Sequence, residues 1–156
     1  MDVAEFHSIL ESALRGMILE KGRFGRAPSG PTFWPTYWIE AKSIAKIAEK
    51  LKNAPDLELD WLENLSAAQV PPDNSLLLTY FVRSTKRKHG VMLRVSVVPP
   101  SENEEVRVSS VSAAWPMSEP MEKEIQELFG IRFNERISYD PARGWTGFPL
   151  RKGGGK

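Results

Sequence analysis

Residues 76–98 read LLLTYFVRSTKRKHGVMLRVSVV, and the fold turns on how that stretch is parsed. Leu76 to Arg83 is apolar almost throughout, the composition of a strand covered on both faces. Val91 to Val98 alternates instead, with Val91, Leu93, Val95 and Val97 opposed by Arg94 and Ser96. Ser84 to Gly90 between them is polar and charged and closes the pair as a hairpin.

Downstream, Val106 and Val108 start a third strand that runs to Ala113. Its phase slips to Val111 and Ala113, which predicts a bulge near Ser109 or Ser110. A helix is predicted over residues 119–129, burying Met121, Ile125, Leu128 and Phe129. Ser118 suits its N-cap, Pro120 its first turn and Gly130 a left-handed stop. Upstream, Pro71-Pro72-Asp73-Asn74 is a break. Leu57, Leu59, Trp61, Leu62 and Leu65 before it read as a short strand followed by a turn of helix. Ile44, Ile47, Ala48 and Leu51 mark one face of a helix ending before Pro55, and Tyr37-Trp38-Ile39 is a short strand.

At the amino terminus, Phe6, Ile9, Leu10, Ala13, Leu14, Met17 and Ile18 form the stripe of an amphipathic helix over residues 3–20. Residues 21–36, KGRFGRAPSGPTFWPT, are a loop holding Phe24, Phe33 and Trp34. These aromatics either pack on the domain's own surface or dock on another subunit, and both readings stand. The order predicts an α+β fold, a single mostly antiparallel sheet with helices packed on one face, plus an extended C-terminal tail. Its segments are 1–35 (helix and loop), 36–133 (α+β domain) and 134–156 (tail).

The chain's 156 residues suit one domain, and 41% hydrophobic with 26% charged residues is a globular mixture. Lys and Arg number 21 against 20 Asp and Glu, a net charge of +1 that offers no general attraction to nucleic acid or membrane. The absence of cysteine excludes disulfides, thiolate metal sites, a Cys nucleophile and a Cys-held iron–sulfur cluster. With His7 and His89 as the sole histidines, a multi-His metal centre is excluded too. Asp2 and Glu5 precede any basic residue, so the start reads as a helix and not a secretory signal. The longest apolar run falls far short of the ~20 residues of a spanning helix, so a soluble chain is expected, with membrane contact only through a partner.

Candidate chemistry is sparse. Arg83, Lys86, Arg87 and Lys88 form a basic patch which, with Tyr80 and Phe81, keeps open an α+β RNA-binding domain acting through the 83–89 hairpin. A solvated hairpin tip explains the same charges more simply. Glu124 and Glu127 can share a helix face, but acidic residues early in a helix answer the helix dipole, and no nucleophile or phosphate loop accompanies them. Beyond Ile131 the chain carries Arg132, Arg136, Arg143, Arg151, Lys152 and Lys156 against Glu135 and Asp140, with Trp145, Phe148 and Leu150 interspersed. Arg with aromatics in a Gly- and Pro-rich extended segment is the composition of a strap laid over a partner. Left free, each large apolar side chain would forgo ~1.5–3 kcal/mol of burial.

Residues 122–133, EKEIQELFGIRF, resemble the E-R-E-x-x-D-x-F-G-I-x-F signature of the 30 kDa subunit family of respiratory complex I, the NADH-quinone oxidoreductase. Residues 144–152, GWTGFPLRK, are similar to that family's closing G-H-P-L-R-K, and Leu59 to Leu65 to its L-x-x-L-x-D-L stretch. Phe148, Glu127 and Gly153 stand where the family has His, Asp and Asp, and Glu135-Arg136-Ile137 occupies a shortened segment. This divergence suits the homologous subunit of group 4 membrane-bound NiFe hydrogenases or related archaeal complexes. The resemblance implies a non-catalytic subunit on the cytoplasmic side of the membrane, bracing a large 49 kDa-like or NiFe-hydrogenase-like subunit beside iron–sulfur subunits. Cofactors, both iron–sulfur clusters and NiFe, would sit in those partners. Glu122, Lys123 and Glu124 would form or position inter-subunit ion pairs, and Phe129 and Gly130 would set the helix exit. Arg136, Gly144, Trp145, Gly147, Pro149, Leu150, Arg151 and Lys152 would bind the partner.

Overall fold

The computed structural model describes residues 3–21, 25–26, 33–70, 74–87, 89–99 and 106–133. In chain order these form α1 (Val3–Ala13), β1 (Ile18–Lys21), β2 (Gly25–Arg26), β3 (Phe33–Trp34) and β4 (Thr36–Ile39). A 3-10 turn (Ala41–Ser43), α2 (Ile44–Asn53), β5 (Trp61–Val70), β6 (Ser75–Arg83) and β7 (Gly90–Val97) follow. The last elements are β8 (Val106–Val108), α3 (Ser118–Phe129) and β9 (Ile131–Phe133).

The central hairpin forms as its alternation requires. Leu78 pairs with Val95, Tyr80 with Leu93 and Val82 with Val91, and all six side chains are fully buried. β5 extends the ladder antiparallel to β6, β4 joins β7 in parallel and β1 closes the far edge, giving the order β1-β4-β7-β6-β5. Phe6 and Leu10 of α1, with Leu14 just beyond its end, share one apolar core with the inward row of the sheet. Ile44, Ile47 and Leu51 of α2 and Ile125 and Phe129 of α3 complete that core. The α+β reading, a mostly antiparallel sheet with helices on one face, holds.

Four local expectations need correction. The first helix ends at Ala13, because Gly16 adopts φ +81° and turns the chain, so Ile18 enters a strand rather than the helical stripe. The turn of helix expected after Trp61 is instead the ten-residue β5. A register shift between Leu62 and Asn64 puts Leu62 and Leu65 on the same face three residues apart, which mimics helical spacing. The strand expected over 106–113 stops at Val108 and pairs in parallel with β9, outside the main sheet. Ser118 lies inside α3, whose N-cap is Met117 with no side-chain bond.

β6 is covered fully on one face only. On the other, Trp34 packs on Met92 and Phe81, and a Cβ added at Gly90 would collide with the Trp34 ring. Trp34 thus packs on its own sheet, while Phe24 and the Phe33 side chain lie outside the described residues. No described helix is long and apolar enough to cross a membrane.

Candidate functional site

The sequence places its most distinctive run on α3, and the helix is built around one carboxylate. Glu122 is fully buried. Its Oε1 accepts from Ser110 Oγ at 2.7 Å and Ser118 Oγ at 3.2 Å, and its Oε2 accepts from the Val111 N–H at 3.1 Å. A hydroxyl has one proton, so Ser110 gives its own to Glu122 and accepts from Ser112 Oγ at 2.9 Å and the Ser112 N–H at 3.2 Å. The slip in hydrophobic phase at Ser109 and Ser110 is therefore not a bulge within a strand but the point where the chain leaves β8 to meet this helix. Burial pushes the Glu122 carboxyl above the ordinary carboxylate value, and the hydrogen bonds from Ser110, Val111 and Ser118 oppose that rise only in part. Burial, reinforced by the Glu122 charge, also drives the Tyr80 hydroxyl well above its usual value.

The same loop is held from its other end. Trp115 is fully buried and its indole N–H donates to Leu59 O at 2.8 Å, tying the loop to the strand-entry segment before β5. α3 stops at Gly130 with φ 71°, whose N–H donates to Gln126 O at 3.0 Å. Val106 N–H then donates to Gly130 O at 3.2 Å, and Ile131 and Phe133 are fully buried as β9 pairs with β8. The exit of the helix is thereby fixed in direction up to Phe133.

The basic hairpin tip is engaged within the chain. Thr85 donates its N–H and hydroxyl to Asp60 at 2.8 and 2.6 Å. Arg87 lies 3.5 Å and Lys86 3.8 Å from Glu58, and Arg83 lies 3.5 Å from Glu63. Tyr80 is fully buried, and Phe81 is packed against Trp34 and Met92. The hairpin therefore offers neither a free run of cations nor the stacking aromatics the RNA reading needs; Lys88 lies outside the described residues. His89, stacked on Phe6 at 4.1 Å, donates from Nε2 to Leu57 O at 2.8 Å, and burial pulls its pKa down. A cleft of about 440 Å³ between α2 and the 110–114 loop is lined by Lys46, Glu49, Lys52, Asn53, Ser110, Val111 and three alanines, and the Ser110 hydroxyl there is engaged by the buried Glu122. Among the described residues no group of three or more His, Cys, Asp or Glu could hold a metal ion.

Residues 37–154 match the family described as "Respiratory-chain NADH dehydrogenase, 30 Kd subunit". The chain belongs to this family. Among curated relatives, the fused C/D-type subunit of NADH-quinone oxidoreductase from Acidiphilium cryptum is 28% identical over 131 residues, covering 76% of this chain and 21% of the relative. The separate C-type subunit from Roseiflexus castenholzii is 27% identical over 118 residues, covering 73% of this chain and 66% of the relative. The chain thus spans about a fifth of the fused protein and just under two thirds of the separate one. A chain in the structure of the membrane-bound sulfane sulfur reductase, an archaeal respiratory membrane complex, shares the fold. It superposes with TM-score 0.60 at 17% identity, over 95% of this chain and 81% of that one.

Within the 30 kDa-subunit match, the residues predicted for partner binding fall into four groups, Glu122 standing alone as the fourth. Lys123 and Glu124 are exposed on α3. Phe129 and Gly130 are buried at its exit. Arg136, Gly144, Trp145, Gly147, Pro149, Leu150, Arg151 and Lys152 lie outside the described residues. Glu122, also predicted for partner binding, is enclosed by its own chain, with its two oxygens held by Ser110, Ser118 and the Val111 N–H. Sequence reasoning missed Ser110, Val111 and Ser118 as its partners. The one available signal was the serine cluster of residues 109–112 placed before a helix that carries a glutamate on its apolar side.

Proposed function

We propose that this chain is a non-catalytic subunit of the hydrophilic arm of a membrane-bound, ion-translocating oxidoreductase complex, either complex I-like or an energy-converting hydrogenase. It braces the large 49 kDa-like or NiFe-hydrogenase-like subunit on the cytoplasmic side of the membrane, while iron–sulfur clusters and any NiFe centre reside in partner chains. The observation that carries this reading is that the family match continues through residue 154, well past β9, the last strand among the described residues. A Gly- and Pro-rich segment with interspersed Arg and aromatic residues that belongs to the family match is what a partner-binding strap requires. Glu122 anchors the helix from within, Lys123 and Glu124 face outward, and Gly130 turns the chain toward the tail. Residues 134–156, with Arg136, Trp145, Leu150, Arg151 and Lys152, then lie along the large subunit.

The test is assembly in the native host. Arg151→Ala is expected to reduce the complex recovered in mild detergent, because truncating one partner of a buried interfacial charge pair costs ~2–5 kcal/mol. The cluster spectra of the complex that does assemble should be unchanged. Intact assembly with an altered cluster signal would overturn the assignment.

A further inference from the structure

The register of the sheet sorts its side chains onto two faces, and the helices take only one of them. The outward row comprises Trp61 with Arg83, Asn64 with Phe81 and Met92, Ser66 with Thr79, Arg94 and Trp38, and Ala68 with Leu77 and Ser96. Among the described residues three large apolar side chains are exposed: Trp61 at 40%, Val70 at 39% and Val98 at 60%. Trp61 stands at one end of this face. Val70 pairs with Ser75 at the other, and Val98 follows Val97, which packs inward, by one residue. Midway between, the Arg94 guanidinium lies 5.7 Å from the centre of the Trp38 ring, and Arg94 Nε is buried without a hydrogen-bond partner. Arg83, on the same face, likewise has a buried Nε without a hydrogen bond, but it lies 3.5 Å from Glu63 as an ion pair.

We propose that this outer sheet face, centred on Trp38 and Arg94, is an interface for a neighbouring protein subunit that presents a carboxylate to Arg94 amid apolar side chains. The proposal rests on the reading of the chain as part of a larger complex and adds a second contact, separate from the tail. Charge complementarity selects the occupant. A guanidinium pre-oriented on an indole, with a desolvated and unpaired N–H, is completed by a carboxylate, and Trp and Arg are the residues that dominate interface energetics. Nucleic acid would need several cations, and among the described residues this face offers one arginine without an ion pair, Arg94. A second copy docked about a two-fold axis through the centre of the patch would set Arg94 against Arg94.

The experiment uses the complex purified from the native host. A photo-reactive benzophenone side chain is placed in turn at Ser66 and Ser96, both exposed on this face. The expected result is a crosslink from each position to another subunit, with Arg94→Glu lowering recovery of that subunit at least about tenfold. Arg94→Gln, which removes the charge without reversing it, should lower recovery less, and melting of each isolated variant shows whether it still folds. If a variant does not fold, the crosslinks decide. No crosslink, or crosslinks only to residues 134–156 of this chain, to a second copy or to nucleic acid, would overturn the proposal. The two readings fail differently. If the unmodified chain purifies without oxidoreductase subunits, the assignment to such a complex is itself wrong; if the complex is intact but Ser66 and Ser96 touch nothing foreign, only this face has been misread.

Discussion

Removing the Glu122 carboxylate is the perturbation whose consequences the geometry specifies most fully. In Glu122→Ala three donors lose their acceptor: the hydroxyls of Ser110 and Ser118 and the Val111 N–H. The hydroxyls can rotate toward other acceptors, but the backbone N–H cannot. One orphaned buried donor costs ~1–3 kcal/mol, and the space left by the side chain adds roughly 1 kcal/mol, for a total of about 2–4 kcal/mol. For a chain of 156 residues that lowers the melting temperature by about 5–15 °C. Glu122→Gln is milder, because its amide oxygen can face Val111 while the serine hydroxyls turn to accept from its NH2 group.

The glutamine variant also tests the electrostatics. Burial holds the folded carboxyl above the ordinary value of 4.5, so the unfolded chain ionises first as pH rises. Glu122 therefore contributes most stability below that value, and the contribution is lost as pH climbs through the raised folded pKa. Glutamine does not titrate, so its deficit relative to wild type should shrink between pH 4 and pH 8. Urea unfolding of the isolated full chain at both pH values measures each quantity. An alanine variant within about 0.5 kcal/mol of wild type would refute the network as a structural anchor. A glutamine deficit that widens with pH would show that the three hydrogen bonds outweigh burial.

Two further outcomes follow from other parts of the fold. Gly90→Ala puts a Cβ into the Trp34 ring, so it should cost ~1–3 kcal/mol and displace Trp34 from the sheet, visible as a red shift in tryptophan emission; unchanged emission and stability would contradict the packing of that ring. Burial alone would raise the Asp60 carboxyl, but the hydrogen bonds from Thr85 hold it below its ordinary value of 3.8, so its contribution is present above that value and lost as pH falls through the folded pKa. Asp60→Asn should accordingly flatten the acid side of the stability profile in thermal melts between pH 5 and pH 2, and an unaltered slope there would exclude it.

Where structure depends on neighbours in the chain, the sequence was a sufficient guide. The alternation of Val91 to Val97 gave β7, the i, i+3, i+4, i+7 spacing of Ile44, Ile47, Ala48 and Leu51 gave α2, and Gly130 ended α3 in the left-handed conformation it can adopt without strain. Even the family was legible, because its signature lies in contiguous runs. Tertiary structure decided what spacing leaves ambiguous. Leu62 and Leu65 have helical separation yet share a strand face, since a bulge inserts one residue between them. Ile18 continues the stripe of α1 yet pairs with Ile39, because a strand gains its partner from β4 and not from its own neighbours. The direction of Glu122 was hidden for a related reason: a glutamate on a helix reads as solvent-facing until Ser110 and Val111 of the preceding loop, with Ser118 of the helix's first turn, supply the hydrogen bonds that let it be buried. Periodicity records which side of an element is apolar; which surface meets that side, and which polar group is satisfied there, is settled by contacts between segments far apart in the chain.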